Sequence, residues 1–523
     1  MTIMLAPMPT GLIKQVKAIA LSPVSGVALF FFIAVLSLNS KFNYVDDAYY
    51  IMLAKSLAGG FGFSDIHLPS PHLHRHFPPG LPLFLSIPTL LGFDISTSVV
   101  IYKLLLIGCG ALGLYLFARF AIAEGHSPWV ASAAIVLSSV SIIFIGFTTR
   151  VASEMLYLLL SVGALIALRK YEQSSYKSRW LAVSALCLVA SLLTRSIGIL
   201  MLGAAVLCWV LKRKFRHATF LIISSAVLWL PWFILSKTAG AGVGSYYEEF
   251  LSSFQLYTLI ERVLENGWLV LDRDIPRVIL SLSASEFVQT RVWLSALLLP
   301  VRLGISASAI FPILRGLWPR PRVATIYLVC YLLLIIIWPW DPGRYVVPLV
   351  PFLCLSFIAG LEMLLNGLSE RHPKLLRWRP AVFAVVIATC IVSQLISDAR
   401  FVSTVRRSGH YTPEAASIWD ETMMAYEWIR QNTAPSSIIG CEPAMDPHVY
   451  LFTDRKALAL PSRPEAFKRL GVTHVLHITD PTMYKGDELK RRPDLQQFIK
   501  RASGKVTLTP VYQSDNVSIF EIN

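Results

Sequence analysis

Two adjacent carboxylates, Asp46 and Asp47, stand in the stretch NYVDDAYYIMLAKSLAGG (43–60), directly after a long apolar run. Two readings are open for acids at that place. In one, Asp46 caps an interfacial helix that begins at Asp47, since a carboxylate near a helix N-terminus is favourable by up to about 1 kcal/mol. Tyr49, Tyr50, Met52, Leu53, Ala54 and Leu57 then lie at headgroup level. In the other, the pair does chemistry. The continuation FGFSDIHLPSPHLHRHFPPGLPLFLSIP (61–88) favours the second. Pro78-Pro79-Gly80 cannot continue a helix and sets a rigid turn. Arg75, just upstream, is a fixed positive charge suited to phosphate.

Other charged residues stand where charge is costly. Arg150 and Glu154 sit at one end of an apolar run, and Arg195 interrupts another. Intramembrane charge is by default a functional candidate, although an i,i+4 ion pair is an equally direct reading of Arg150 and Glu154. Arg344 and Tyr345 open a late apolar run; Arg344 either binds an anion, snorkels to the interface or pairs with Asp341. His67, His72, His74 and His76 fall within ten residues, a density that admits a divalent metal, yet their spacing matches no closed zinc site. No metal or other cofactor is therefore expected. Glu248 and Glu249 are candidates for contacting an acceptor or a metal.

The elements that must position these residues are membrane spans. Of 523 residues, 55% are hydrophobic and 15% charged, against roughly 45–50% and about 25% in an ordinary soluble chain. Runs long enough to cross a bilayer number about eleven. They lie near 18–38, 97–118, 128–148, 152–168, 180–195, 197–211, 218–236, 292–313, 323–340, 345–365 and 380–397. The fold class expected is a mostly α, polytopic membrane protein. It divides into a membrane domain at 1–397 and a small soluble α/β domain at 398–523.

Placing the N-terminus in the cytoplasm puts RKYEQSSYKSR (169–179), KRKFRH (212–217), RGLWPRPR (315–322) and NGLSERHPKLLRWRP (366–380) on the cytoplasmic side. All four are basic, as the positive-inside rule requires. The tail and the long loops 39–96 and 237–291 then share the outer face of a cytoplasmic (inner) membrane. The same rule accounts for the net charge of +15, and no nucleic-acid-binding motif is present. Seven cysteines show no disulfide or CxxC framework, and the first apolar run is too long for a cleaved signal peptide. In the tail, TPEAASIWDETMMAYEWIRQNT and PEAFKRLG read as helices, and SSIIG, THVLHIT and NVSIFEI as strands.

DDAYY and RHFPPGLPL in one outer loop, with TTRVASEMLYLLL (148–160) and WDPGRYVVPLVPFL (340–353), resemble the GT-C superfamily of integral-membrane glycosyltransferases. The nearer likeness is to protein O-mannosyltransferases, lipid A aminoarabinose transferases and their bacterial relatives. It covers most of 18–397, and a tail with AYEWIRQNT is frequent among them. Here the second acid is Asp where Glu is often found, and His76-Phe77 separates Arg75 from the Pro-Pro turn.

The resemblance implies inverting transfer of a sugar from a polyprenyl-phosphate donor to a glycan, lipid or protein acceptor on the outer face. A lipid phosphate is already a good leaving group, so the chemistry needs one base and cations for the departing phosphate. Asp46 is the first choice for the base and Asp47 the second. Arg344, Arg75 and Tyr345 are the candidates for the donor phosphate, and Arg150, Glu154, Arg195, His76, Glu248 and Glu249 for further substrate contacts. A lipid-linked sugar transporter predicts inverted repeats and charges along a mid-membrane path, neither of which is visible. A non-catalytic scaffold leaves the acids and arginines without a role.

Overall fold

Within a bilayer the backbone must satisfy its own hydrogen bonds, so a chain this apolar is driven into helices. The computed structural model describes residues 22–42, 45–238, 256–281, 291–317, 321–372, 377–442, 445–460, 466–478 and 507–522. Helix α1 (Pro23–Leu36) starts with Pro at its first turn and with Ser22 accepting from the Ser25 amide. The first long loop carries α2 (Val45–Ala58) and, after the Pro-Pro turn, α3 (Gly80–Thr89). Because α2 begins at Val45, both acids lie inside its first turn, and Asp46 is not a cap preceding it.

Helix α4 (Ile95–Ala123) is capped by Asp94. The run expected as one span at 128–148 is two helices, α5 (Pro128–Ser139) and α6 (Ile142–Thr148), bent by 59°. Serines near the break compete for backbone groups, as when Ser138 Oγ donates to Ala134 O at 2.6 Å. The Ile142 amide instead finds Gln394 Oε1 at 2.9 Å, so the bend costs no unpaired donor there.

The bundle continues with α7 (Glu154–Gln173), α8 (Ser178–Thr194), α9 (Ile199–Leu211) and α10 (Phe215–Thr238). Arg195 separates α8 from α9, as the sequence suggests. The second long loop contains α11 (Leu256–Leu269), a π-helical turn (Val270–Asp274) and α12 (Ile275–Ile279). Then come α13 (Val292–Arg315), α14 (Val323–Ile337), α15 (Val350–Arg371) and α16 (Arg379–Ser408). Among the described residues five helices are long and apolar enough to cross a membrane, or six if α5 and α6 count as one bent span. The protein is thus a multi-pass membrane protein. The other expected spans coincide with α1, α7, α8, α9 and α14, which fall outside that group.

Helices α13 and α15 cross with their backbones close together. Ser356 Oγ donates to Ala309 O at 2.5 Å, and Gly360 lies directly against the Ser308 carbonyl. Small residues permit such approach in membrane bundles. Gly360→Ala pushes a methyl into that carbonyl and is expected to cost about 1–3 kcal/mol, read as a lower melting temperature in detergent. Gly367→Ala on the same helix meets nothing within 4 Å and serves as the neutral control.

The tail folds as α17 (Pro413–Asn432), β1 (Ile438–Cys441), α18 (Asp446–Thr453), β2 (Lys456–Ala459), α19 (Ala466–Leu470), β3 (Val472–Ile478), β4 (Leu508–Gln513) and β5 (Val517–Ile522). The sheet order is β2-β1-β3-β5-β4, with β1 parallel to β2 and β3, and β5 antiparallel to β3 and β4. The sequence reading missed β2 and β4. The first is only four residues long, and the second carries Pro510, which is tolerated because β4 is an edge strand. On the opposite edge the Ala457 amide donates to His67 O at 2.9 Å, so the first long loop covers β2.

Candidate active site

The first turn of α2 is a favourable place for acids, because the helix dipole meets them there. Successive helical residues point about 100° apart, which sends the two carboxylates into different surroundings. Asp46 keeps 16% of its side chain exposed and accepts from Arg344 Nη1 at 2.5 Å. Arg344 Nε donates to Glu154 Oε1 at 2.6 Å. That same oxygen accepts Arg195 Nη1 at 2.5 Å, and the Arg195 nitrogen also reaches Ser153 Oγ at 3.1 Å. Glu154 is buried at the start of α7, so one enclosed carboxylate holds two guanidinium groups, Arg195 nearly buried and Arg344 partly exposed. The Tyr345 ring lies 5.5 Å from the Arg195 guanidinium carbon. Residues far apart in sequence thereby converge: Asp46, Glu154, Arg195, Arg344 and Tyr345.

Asp47 is fully buried and lies in the field of Lys103, a buried lysine on α4. Lys103 Nζ donates to Lys41 O at 2.5 Å, Tyr411 Oη at 2.7 Å and Asn39 O at 3.2 Å. Tyr411 Oη lies 2.9 Å from Thr149 O and 2.7 Å from Asn39 Oδ1. Lys103 thus joins the exit of α1, the acid-bearing helix and the start of the tail. The sequence reading did not single it out, although a lone lysine in a 29-residue apolar helix is the kind of intramembrane charge that marks function.

Two pairings left open by the sequence do not form. Arg150 precedes the N-terminus of α7, so Arg150 and Glu154 are not an i,i+4 pair on one helix. The Arg150 guanidinium carbon instead lies 4.3 Å from the Phe147 ring centre. Arg344 pairs with Asp46 and Glu154, while Asp341 pairs with Arg273 at 2.8 Å. Burial would raise the Asp341 carboxyl, but bonds from Arg273 and the Gly343 amide hold it below the usual carboxylate range. Arg75 and His76 are half-buried further along the first loop, with His76 edge-on to Phe77. Glu248 and Glu249 lie outside the described residues.

Three of the four histidines of this loop, His67, His72 and His74, pair with aspartates. His74 Nδ1 lies 2.7 Å from Asp65 Oδ1, and its Nε2 accepts the Phe77 amide at 2.9 Å. An accepting Nε2 fixes the proton on Nδ1, where it donates to Asp65. His72 lies 3.2 Å from the other Asp65 oxygen, and His67 Nε2 lies 2.8 Å from Asp446 at the start of α18. Among the described residues no group of three or more His, Cys, Asp or Glu is arranged to hold a metal. Tyr49, one turn beyond Asp46, reaches Asp446 at 3.4 Å. Burial, then the charges of Asp446 and Asp65, push its phenol up, so it stays neutral. Together with Lys41–Asp420 at 2.9 Å, these contacts pin α2 and its flanks to the tail domain.

No protein-family model matches the sequence, and no curated protein matches it. Solved structures do. ArnT from Cupriavidus metallidurans bound to undecaprenyl phosphate aligns with a TM-score of 0.57 at 13% identity, covering 95% of this chain and 97% of its own. Its apo form gives 0.59 over the same shares, also at 13%. The archaeal oligosaccharyltransferase AglB from Archaeoglobus fulgidus, in complex with an inhibitory peptide and a dolichol-phosphate, gives 0.57 at 12% identity, covering 88% of this chain and 70% of its own. The fold is the GT-C fold. One fold hosts many activities, so what this chain does must be argued from the cluster around Asp46 and Arg344.

Proposed function

We propose that the chain is a membrane glycosyltransferase. It moves a sugar from a polyprenyl-phosphate donor to a glycan, lipid or protein acceptor on the extracytoplasmic face of the cytoplasmic membrane. The observation that carries this reading is the contact of Asp46 with Arg344, which places a carboxylate and a fixed cation side by side on a GT-C fold. The acceptor hydroxyl attacks the anomeric carbon from the face opposite the phosphate. A new C–O bond forms, the bond from that carbon to the phosphate oxygen breaks with its electron pair, and the configuration inverts. Asp46 takes the hydroxyl proton, and Arg344 stabilises the negative charge on the departing lipid phosphate. Asp46 is preferred over Asp47 because it is the partly exposed one, whereas Asp47 is enclosed beside Lys103.

In this reading the donor phosphate and Asp46 compete for Arg344. Binding of the donor draws Arg344 Nη1 to the phosphate and frees Asp46 to act as a base, while Glu154 keeps hold of Nε. No step is assigned to a metal ion. The polyprenyl-phosphate part of the reading is tested by titrating the purified protein with undecaprenyl phosphate, beside Arg344→Met. Saturable binding that Arg344→Met weakens is expected, together with loss of one sugar modification from the envelope when the gene is removed. Absence of binding to the wild-type protein and an unchanged envelope would refute the reading.

A further inference from the structure

Arg344 sits on very little secondary structure. The 3-10 turn Pro342–Arg344 is three residues long, closed by Tyr345 N to Pro342 O at 2.9 Å. So short a turn is weak alone, since its hydrogen-bond geometry is poor and helical nuclei are unfavourable. Glu154 holds the side chain at Nε, but the backbone that presents it needs an anchor of its own. The second long loop supplies it, and resting on the reading above we infer that Arg273 anchors the turn that presents Arg344 to the donor phosphate.

Arg273 grips Asp341, the residue that opens the turn, with both prongs of its guanidinium. Nη1 lies 2.8 Å from Oδ2 and Nη2 lies 2.8 Å from Oδ1. A two-pronged, planar contact sets orientation as well as distance. Asp341 Oδ1 in turn accepts the Gly343 amide at 2.8 Å, so the grip passes directly into the backbone that presents Arg344. The third edge of Arg273 is held by Asp274, with Nε 2.7 Å from Oδ1, and the Asp274 side chain is buried. Gly343 leaves room for this arrangement. A Cβ there would meet Asp341 Oδ1 at 2.9 Å, and Arg273 Nη2 and Asp274 Oδ1 at 3.4 Å.

The clamp has a fixed base. Arg273 and Asp274 belong to the π-helical turn, a local irregularity often found at functional sites. Its neighbour Asp272 accepts Arg302 Nε from α13 at 2.7 Å, and Ser306 Oγ of α13 donates to Leu271 O at 2.6 Å. One turn earlier, Asn266 Nδ2 donates to Trp338 O at 2.8 Å, which ties the segment leading to Asp341 to the same loop. Arg273 also neutralises Asp341. Without it, the carboxylate three residues before Arg344 would lose its contact partner and keep only the more distant charge of Arg277.

The test uses full-length Arg273→Met, Arg273→Lys, Asp341→Asn and Arg273→Met/Asp341→Asn proteins in detergent. Two measurements are made on each: binding of undecaprenyl phosphate, and amide hydrogen exchange of segment 338–346 without ligand. Arg273→Met is expected to weaken binding by about ten- to a hundredfold, taking as the scale the loss seen when a partner that orients a metal ligand is removed. It also speeds exchange of the segment. Arg273→Lys keeps the charge but not the two-pronged contact, so it fails to rescue either property. The double variant binds better than Arg273→Met, because the negative charge nearest Arg344 in the chain is removed, although Asp274 still lacks its partner. Full rescue by Arg273→Lys with unchanged exchange would mean that Arg273 acts as a point charge on the phosphate and not as a clamp. Unchanged exchange in Arg273→Met overturns the inference by itself. A wild-type protein that binds no undecaprenyl phosphate refutes the functional reading instead, and the exchange measurement still decides whether the clamp exists.

Discussion

Asp46→Asn is expected to leave the protein folded and to lower sugar transfer by about 10²–10⁴-fold, or roughly 3–5 kcal/mol of barrier. Asn keeps the size of the side chain and one acceptor oxygen, but it cannot take a proton from the acceptor. The same change should act in the opposite direction on the donor. In the ligand-free protein Asp46 occupies Arg344 Nη1, so removing its charge removes the phosphate's competitor. Undecaprenyl phosphate should bind Asp46→Asn at least as tightly as wild type, with turnover nearly lost. An acid that only pairs with Arg344 also predicts the tighter binding, so the near-complete loss of turnover in a folded, donor-binding protein is the half that identifies a base. Asp47→Asn is the companion. Its carboxylate is buried in the field of Lys103, so its loss should appear as a lower melting temperature. Transfer at near wild-type rate in both variants would leave the acid pair without a catalytic role.

Glu154→Gln is the second large effect, and it falls on stability. One buried oxygen accepts from both Arg344 and Arg195. Replacing the carboxylate by an amide leaves two guanidinium groups together with no shared counter-charge. Breaking a buried ion pair by removing one partner costs roughly 3–5 kcal/mol. Part of that cost should be recovered when Arg344 is also changed to Met, since the three residues act as a unit and their effects should not add. Thermal unfolding of Glu154→Gln, Arg344→Met and the double variant measures the coupling. Additive losses would show that Glu154 and Arg344 do not stabilise one another.

What the sequence determined by itself is what local properties encode. Hydropathy is a sum over neighbouring residues, so the apolar segments and the breaks at Arg195 and the Pro-Pro turn were legible. Charge in an apolar setting is also local, and it pointed to Asp46, Glu154, Arg195 and Arg344. Partners are not local. Arg195 and Glu154 are 41 positions apart, and Arg344 and Asp46 are 298 apart, so only the fold could pair them. The same holds for the bend after Ser139, where an amide from α6 leaves the helical ladder for Gln394 on α16.

The difference between the two acids is likewise tertiary. Both belong to one helical turn, and the rotation of α2 against Lys103 on one side and Arg344 on the other buries Asp47 and leaves Asp46 partly open. The clustered histidines admitted several roles in the sequence, because composition records density and not direction. Folding gave His67, His72 and His74 each an aspartate as its neighbour. Arg273 carried no signal, because an arginine in a polar loop is ordinary until the chain brings Asp341 to it.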